Sequence, residues 1–150
     1  MRTPDFGSKR PLTIAQEAAL VAAIRDAERG NRGEVRVHVE KRCPGGNALE
    51  RARQIYHLLG MSGTQEDTAV LLYVALSDRK AAVFAGSGIH AAAKPDFWKS
   101  VVDAVAKGYA RGAGEAGLVD AIGKIGELLR EHLPGEDRSG NELPDEVTTS

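Results

Sequence analysis

The chain has 150 residues, of which 42% are apolar and 27% charged, and its formal net charge is −1. These values suit one globular domain with a single sizeable core. With Lys and Arg dispersed among Glu and Asp, they exclude the basic excess or stripe on which nucleic-acid binders rely.

Cys43 is the only cysteine, so no internal disulfide can form and a reducing compartment is allowed. A cysteine nucleophile needs a base and an orienting group. Cys43 stands instead beside the turn-forming Pro44-Gly45-Gly46, which favours a structural role. The first residues carry charges with no apolar run behind them, unlike a signal peptide. The longest apolar stretch, residues 69–76, falls far short of the roughly 20 residues that span a bilayer. The expectation is a cytoplasmic protein without membrane insertion.

Residues 1–12 read as a flexible N-terminal arm, 13–134 as one α/β domain and 135–150 as a polar C-terminal tail. Thr13-Ile-Ala-Gln16 matches a capping box, in which the Thr hydroxyl and the Gln side chain each satisfy the other residue's backbone N–H. The helix that follows places Ile14, Ala18, Val21, Ile24 and Ala27 on one stripe, and Gly30 or Gly33 ends it. Residues 34–40 alternate strictly: Val35, Val37 and Val39 face one way, Glu34, Arg36, His38 and Glu40 the other. That pattern predicts a half-buried strand near a sheet edge. A second helix spans 48–59, with Leu49, Ala52, Ile55, Leu58 and Leu59 apolar and Gly60 as its stop.

Residues 69–76 are apolar on both faces, the mark of a central strand covered by helices on each side. Strand, helix, strand in that order implies a right-handed parallel crossover. Residues 77–80 are too few for another crossover and predict a hairpin into 81–85, so the sheet is mixed. A third helix starts near Pro95 and carries Phe97, Trp98, Val101, Val102, Val105 and Tyr109. After the break at 112–114, a fourth carries Leu118, Ile122, Ile125, Leu129 and Leu133, and Pro134 stops it.

Gly86-Ser-Gly-Ile-His-Ala91 fits the G-x-G-x-x-A dinucleotide fingerprint. It follows a hairpin strand rather than opening a βαβ unit, and no acid-ended strand comes after it. Two glycines supplying positive φ in a tight turn is the plainer reading, with a backbone anion nest as a middle one. The four histidines, His38, His57, His90 and His132, include no i, i+4 pair, and no paired-cysteine motif accompanies them. His57 falls on a helix surface and His132 in a last turn, while His90 stands beside the 86–88 turn and forms a candidate ligand loop with Gly86, Ser87 and Gly88.

The acidic candidates are Glu66, Asp67, Asp78 and Asp96. Glu66 and Asp67 precede the central strand and Asp78 follows it, which separates them by about 25 Å. Asp78 and Asp96 are expected together at that strand's C-terminal end, where α/β sheets bind ligands. They are the candidate metal ligands, since hard cations want several oxygens. The competing reading gives each Asp a local reason, a hairpin loop for one and a helix's first turn for the other. No catalytic constellation emerges.

Several segments together resemble the TPM domain, a family shared by a thylakoid lumen protein, photosystem-repair proteins and many bacterial proteins. They are Gly33-Glu-Val-Arg-Val-His-Val-Glu40, Glu50-Arg-Ala-Arg53 with Leu59-Gly60-Met61, Val70-Leu-Leu-Tyr-Val-Ala75, Asp78-Arg79-Lys80, Gly88-Ile89, Phe97-Trp98 and Gly117-Leu118. Residues 141–146 also resemble the tail of a short bacterial subgroup without a membrane anchor. The resemblance implies a mixed, mostly parallel sheet sandwiched between helices on both faces. It also implies calcium or another divalent cation for some members and acid phosphatase activity for others. This chain departs from the family at Thr68-Ala69, where many members have Asn-Gly. It departs again at Ala85-Gly86-Ser87, where short-subgroup relatives often carry an Asp. The loss of that Asp removes an oxygen ligand. The expectation is a non-enzymatic module binding a partner protein, with a divalent cation, calcium first, as accessory at Asp78 and Asp96; the alternative is a weak acid phosphatase-type hydrolase.

Overall fold

The computed structural model describes residues 11–63, 66–136 and 147–150. Most of the N-terminal arm and residues 137–146 of the tail, with the 141–146 resemblance, lie outside them. In chain order the elements are α1 (Ile14–Glu28), β1 (Glu34–Glu40), α2 (Ala48–Leu58), β2 (Ala69–Ala75), β3 (Lys80–Ala85), α3 (Pro95–Ala110), α4 (Gly114–His132) and β4 (Val147–Thr149). The sheet order is β3-β2-β1-β4, with β1 parallel to β2 and β4, and β2 antiparallel to β3.

Local chemistry sets the boundaries. The capping box forms: Thr13 Oγ1 accepts from the Gln16 N–H at 3.0 Å, and Gln16 Oε1 accepts from the Thr13 N–H at 2.9 Å. Asn47 caps α2 by accepting from the Glu50 N–H at 3.0 Å. Pro95 opens α3, where a missing N–H costs nothing. The hairpin turn passes through Arg79 at φ 54°, a left-handed conformation unusual for a non-glycine residue.

Two cores flank the sheet. On one face Val35, Val37, Val39, Val70, Leu72 and Val74 meet α1, α3 and α4. On the other, Leu71, Tyr73 and Ala75 meet Ala52, Ile55 and Tyr56 of α2. All seven β2 residues are buried, as a strand covered on both sides requires. Helices α3 and α4 cross closely, since a Cβ on Gly108 would lie 2.6 Å from the Gly117 Cα.

Four expectations change. Ile14, placed on the α1 core stripe, is 75% exposed, and Leu20 takes its place with Ile24 and Ala27. In α2, Leu49 and Leu58 are exposed, and the buried large residues are Ile55 and Tyr56. Residues 147–149, read as part of a polar tail, add β4 to the sheet. That addition makes β1 an interior strand, and all seven of its residues are buried, the polar row included. No helix among the described residues is long and apolar enough to cross a membrane.

Candidate functional site

The hairpin determines which candidates meet. Because β3 runs antiparallel to β2, with Ala75 opposite Lys80 and Val70 opposite Ala85, the 76–79 turn and the 86–93 segment sit at opposite ends of β2. Seven residues at about 3.3 Å each separate them by about 20 Å. Asp96 lies in the first turn of α3, and Tyr109 near that helix's other end lines a hollow with Leu76. At 1.5 Å per residue, 96 and 109 are about 20 Å apart. The expected grouping of Asp78 with Asp96, and of the 77–80 loop with Gly86, Ser87, Gly88 and His90, is therefore not what the fold builds. Among the described residues no group of three or more His, Cys, Asp or Glu is placed so that it could hold a metal ion.

The carboxylate that reaches the glycine loop is Asp67. Its Oδ2 accepts from the Ser87 N–H at 2.9 Å and the Ser87 hydroxyl at 2.8 Å, and its Oδ1 accepts from the Tyr56 hydroxyl at 2.8 Å. Burial works to raise the Asp67 carboxyl, but these donors and the nearby His57 hold it below its ordinary value. Burial and Asp67 together push Tyr56 upward. Neither glycine has positive φ. Both are required by space: a Cβ on Gly86 would lie 2.3 Å from the Asp67 carbonyl oxygen, and one on Gly88 would lie 2.0 Å from that of Glu66. The Gly86 N–H donates to Ala69, that of Gly88 to Asp67, and those of Ile89 and His90 to Gly86. With its N–H groups spent internally, the loop is neither a dinucleotide fingerprint nor an anion nest. His90 is exposed; its carbonyl accepts from the Trp98 indole at 3.2 Å and its ring stacks on Trp98 at 6.5 Å. It does not converge with Asp78.

At the other end of β2, Asp78 Oδ2 accepts from the Cys43 N–H at 2.7 Å, and its Oδ1 lies 3.7 Å from Arg42. This ties the β1–α2 loop to the hairpin turn, and Lys80 Nζ donates to the Gly46 carbonyl beside it. Between this turn and the second half of α3 runs a groove of about 690 Å³. Val74, Leu76, Ala81, Val102, Val105 and Ala106 are among the apolar residues of its wall, and its charged lining residues are Arg79 and Lys80. A smaller hollow of about 240 Å³ adjoins it at Leu76 and Tyr109.

The polar row of β1 forms a third arrangement, which the sequence reading placed on an exposed face. Arg51 holds Glu40 in a two-pronged pair, Nε to Oε2 at 2.9 Å and Nη2 to Oε1 at 3.0 Å, and the Tyr73 hydroxyl donates to Oε2. Ser150 Oγ donates to Glu40 Oε1 at 2.7 Å. Burial alone would raise Glu40; the bonds from Arg51, Tyr73 and Ser150, with Arg51's charge, hold it at about 2. His38 lies 2.7 Å from Thr148 Oγ1 through Nδ1 and 2.8 Å from Ser150 Oγ through Nε2. Burial lowers its pKa and outweighs the opposing pull of Glu40. A neutral imidazole has one donor. Since the Ser150 proton points to Glu40, Nε2 donates to Ser150 and Nδ1 accepts from Thr148. That is the reverse of an activated serine, whose proton goes to the imidazole, so the network latches β4 onto β1.

Comparison with known proteins agrees with this architecture. BA42 from the psychrophilic bacterium Bizionia argentinensis, solved by NMR, is 34% identical, with a TM-score of 0.83 over 99% of each chain. The N-terminal domain of a protein from P. gingivalis superposes with a TM-score of 0.67 at 17% identity, covering 82% of this chain and 79% of that one. The N-terminal domain of cg2496 from Corynebacterium glutamicum gives 0.62 at 11% identity, over 86% and 85%. These last two share the fold. No curated protein matches the sequence. Residues 9–128 match the TPM domain, and together with the likeness to BA42 over nearly the whole chain this shows that the chain belongs to the TPM-domain family.

Proposed function

We propose that the chain is a non-enzymatic TPM-domain module that binds a partner polypeptide in the groove between α3 and the β2–β3 hairpin. The observation that carries this reading is the groove itself: about 690 Å³, walled mainly by Val, Leu and Ala, rimmed by Arg79 and Lys80. Its size falls within the range of binding sites, and apolar walls with a few polar groups suit recognition. Helix α3 and strand β2 make it a fixed surface, and the turn residues at its mouth supply specificity. The test is selection from a random peptide display library, followed by mapping on the isotopically labelled protein. Selected peptides perturb the amides of Val102, Ala106 and Lys80, and Ala106→Trp, which fills the groove, abolishes binding at an unchanged melting temperature. Peptides that map elsewhere, or bind Ala106→Trp as well as the parent, refute the reading.

Calcium enters the proposal as an accessory at Asp78, where it would displace the exposed Arg42, 3.7 Å from Oδ1. Melting with calcium, magnesium and chelator tests it. A hundredfold excess over the dissociation constant adds about 2.7 kcal/mol, and Asp78→Asn abolishes that gain; superimposable curves remove the cation. The rival reading is an acid phosphatase-type hydrolase, which needs a nucleophile or a metal-activated water with donors for the developing charge. Asp78 and His90 lie at opposite ends of β2, which argues against it. Turnover of p-nitrophenyl phosphate at ordinary enzyme rates, lost in Asp78→Ala, would establish the hydrolase instead.

A further inference from the structure

We propose that the groove's occupant is an apolar polypeptide segment carrying one acidic side chain, and that Arg79 binds its carboxylate. This rests on the binding reading above and names the chemistry of the partner. Three observations carry it. The charged residues lining the groove, Arg79 and Lys80, are both positive, so the site is complementary to an apolar ligand with one negative group. Lys80 is engaged by the Gly46 carbonyl, whereas the exposed Arg79 side chain has no hydrogen bond or ion pair with any described residue. Arg79 also holds φ at 54°, where the turn itself is better served by Gly or Asn. A long cationic side chain kept in a strained conformation, at the mouth of an apolar groove and without a partner among the described residues, is explained by a ligand. Its planar fork matches a carboxylate in two-pronged geometry. Exposed Arg79, Lys80 and Tyr109 leave the groove open along one side, which suits a chain passing through it better than an enclosed lipid tail.

The probes are two capped peptides of Leu, Phe and Ala with Gly-Ser flanks, differing only at one central residue, Glu or Lys. Each is titrated into the labelled full chain. The Glu peptide shifts the amides of Arg79, Lys80, Val102 and Ala106 and binds at least about tenfold tighter than the Lys peptide, as expected for one charge-assisted pair. Arg79→Glu reverses that order. Arg79→Gly equalises the two peptides and melts no lower than the parent, because it relieves the left-handed strain; a purely structural Arg79 would lower the melting temperature and leave the order intact. Equal affinity of both peptides in the groove overturns the carboxylate reading and spares the groove. Shifts elsewhere, or none from either peptide, overturn both readings. Laurate occupying the groove more tightly than the Glu peptide overturns the polypeptide assignment in favour of a lipid amphiphile.

Discussion

The Glu40 network gives the fold a measurable acid dependence. The Glu40 side chain is only 6% exposed, so its electrostatics are little screened. A drop in its pKa from 4.5 to about 2, at about 1.4 kcal/mol per tenfold change in proton affinity, corresponds to about 3 kcal/mol. Because the folded-state pKa is the lower one, that stability is present above about pH 4.5 and is lost as pH falls towards 2. Against the roughly 5–15 kcal/mol that holds a typical domain together, this is a large share. Glu40→Gln removes the charge while keeping the shape. It leaves Arg51, 18% exposed, without its anion, at a cost of about 3–5 kcal/mol at neutral pH. Urea unfolding of parent and variant at closely spaced pH values from 7 to 2 measures both effects. The parent loses about 3 kcal/mol below pH 4.5 beyond what the variant loses, and the two stabilities converge near pH 2. Equal acid slopes over that window would show that Glu40 is not the group whose protonation is linked to folding.

His38 supplies a second and higher window. Its folded-state pKa lies below 6.5, so stability is complete above pH 6.5 and declines as pH falls below it; His38→Gln removes that upper decline in the same urea series. In the glycine loop, Gly88→Ala drives a Cβ to 2.0 Å from the Glu66 carbonyl and costs about 3 kcal/mol or more. Gly123→Ala inside α4 meets no atom within 4 Å and stabilises by about 0.5–1 kcal/mol, both read from denaturation midpoints. A Gly88→Ala variant as stable as the parent would refute the claim that space, rather than turn conformation, requires that glycine.

Strand β2 was legible because seven successive apolar residues have no solvent-facing alternative in a domain of this size, and the capping box at Thr13 was legible because it is complete within four residues. The placement of the candidate site failed for a reason the sequence already contained. A four-residue turn reverses the chain, so whatever follows β3 must lie at the end of β2 opposite Asp78. The role of Gly86 and Gly88 was hidden for a different reason. The backbone that crowds them belongs to Glu66 and Asp67, which are brought to the loop by the Gly86 to Ala69 and Gly88 to Asp67 hydrogen bonds and by the Asp67 carboxylate on Ser87.

The polar row of β1 shows what alternation does and does not report. A period of two says that the faces of a strand have different neighbours; it does not say that one of them is water. Glu34, Arg36, His38 and Glu40 are all buried, and Glu40 and His38 are satisfied by Arg51, Tyr73, Thr148 and Ser150, partners that lie from 11 to 112 positions away in sequence. One sign of this was available. Tyr73 stands in the middle of a strand apolar on both faces, and a buried phenol needs an acceptor. The parallel neighbour β1 sets His38 beside Tyr73 and carries Glu40 on the same face. A lone hydroxyl in an otherwise apolar central strand is thus a pointer to the adjacent strand's polar face. Here it leads to the side chains that fasten the C-terminal segment to the sheet.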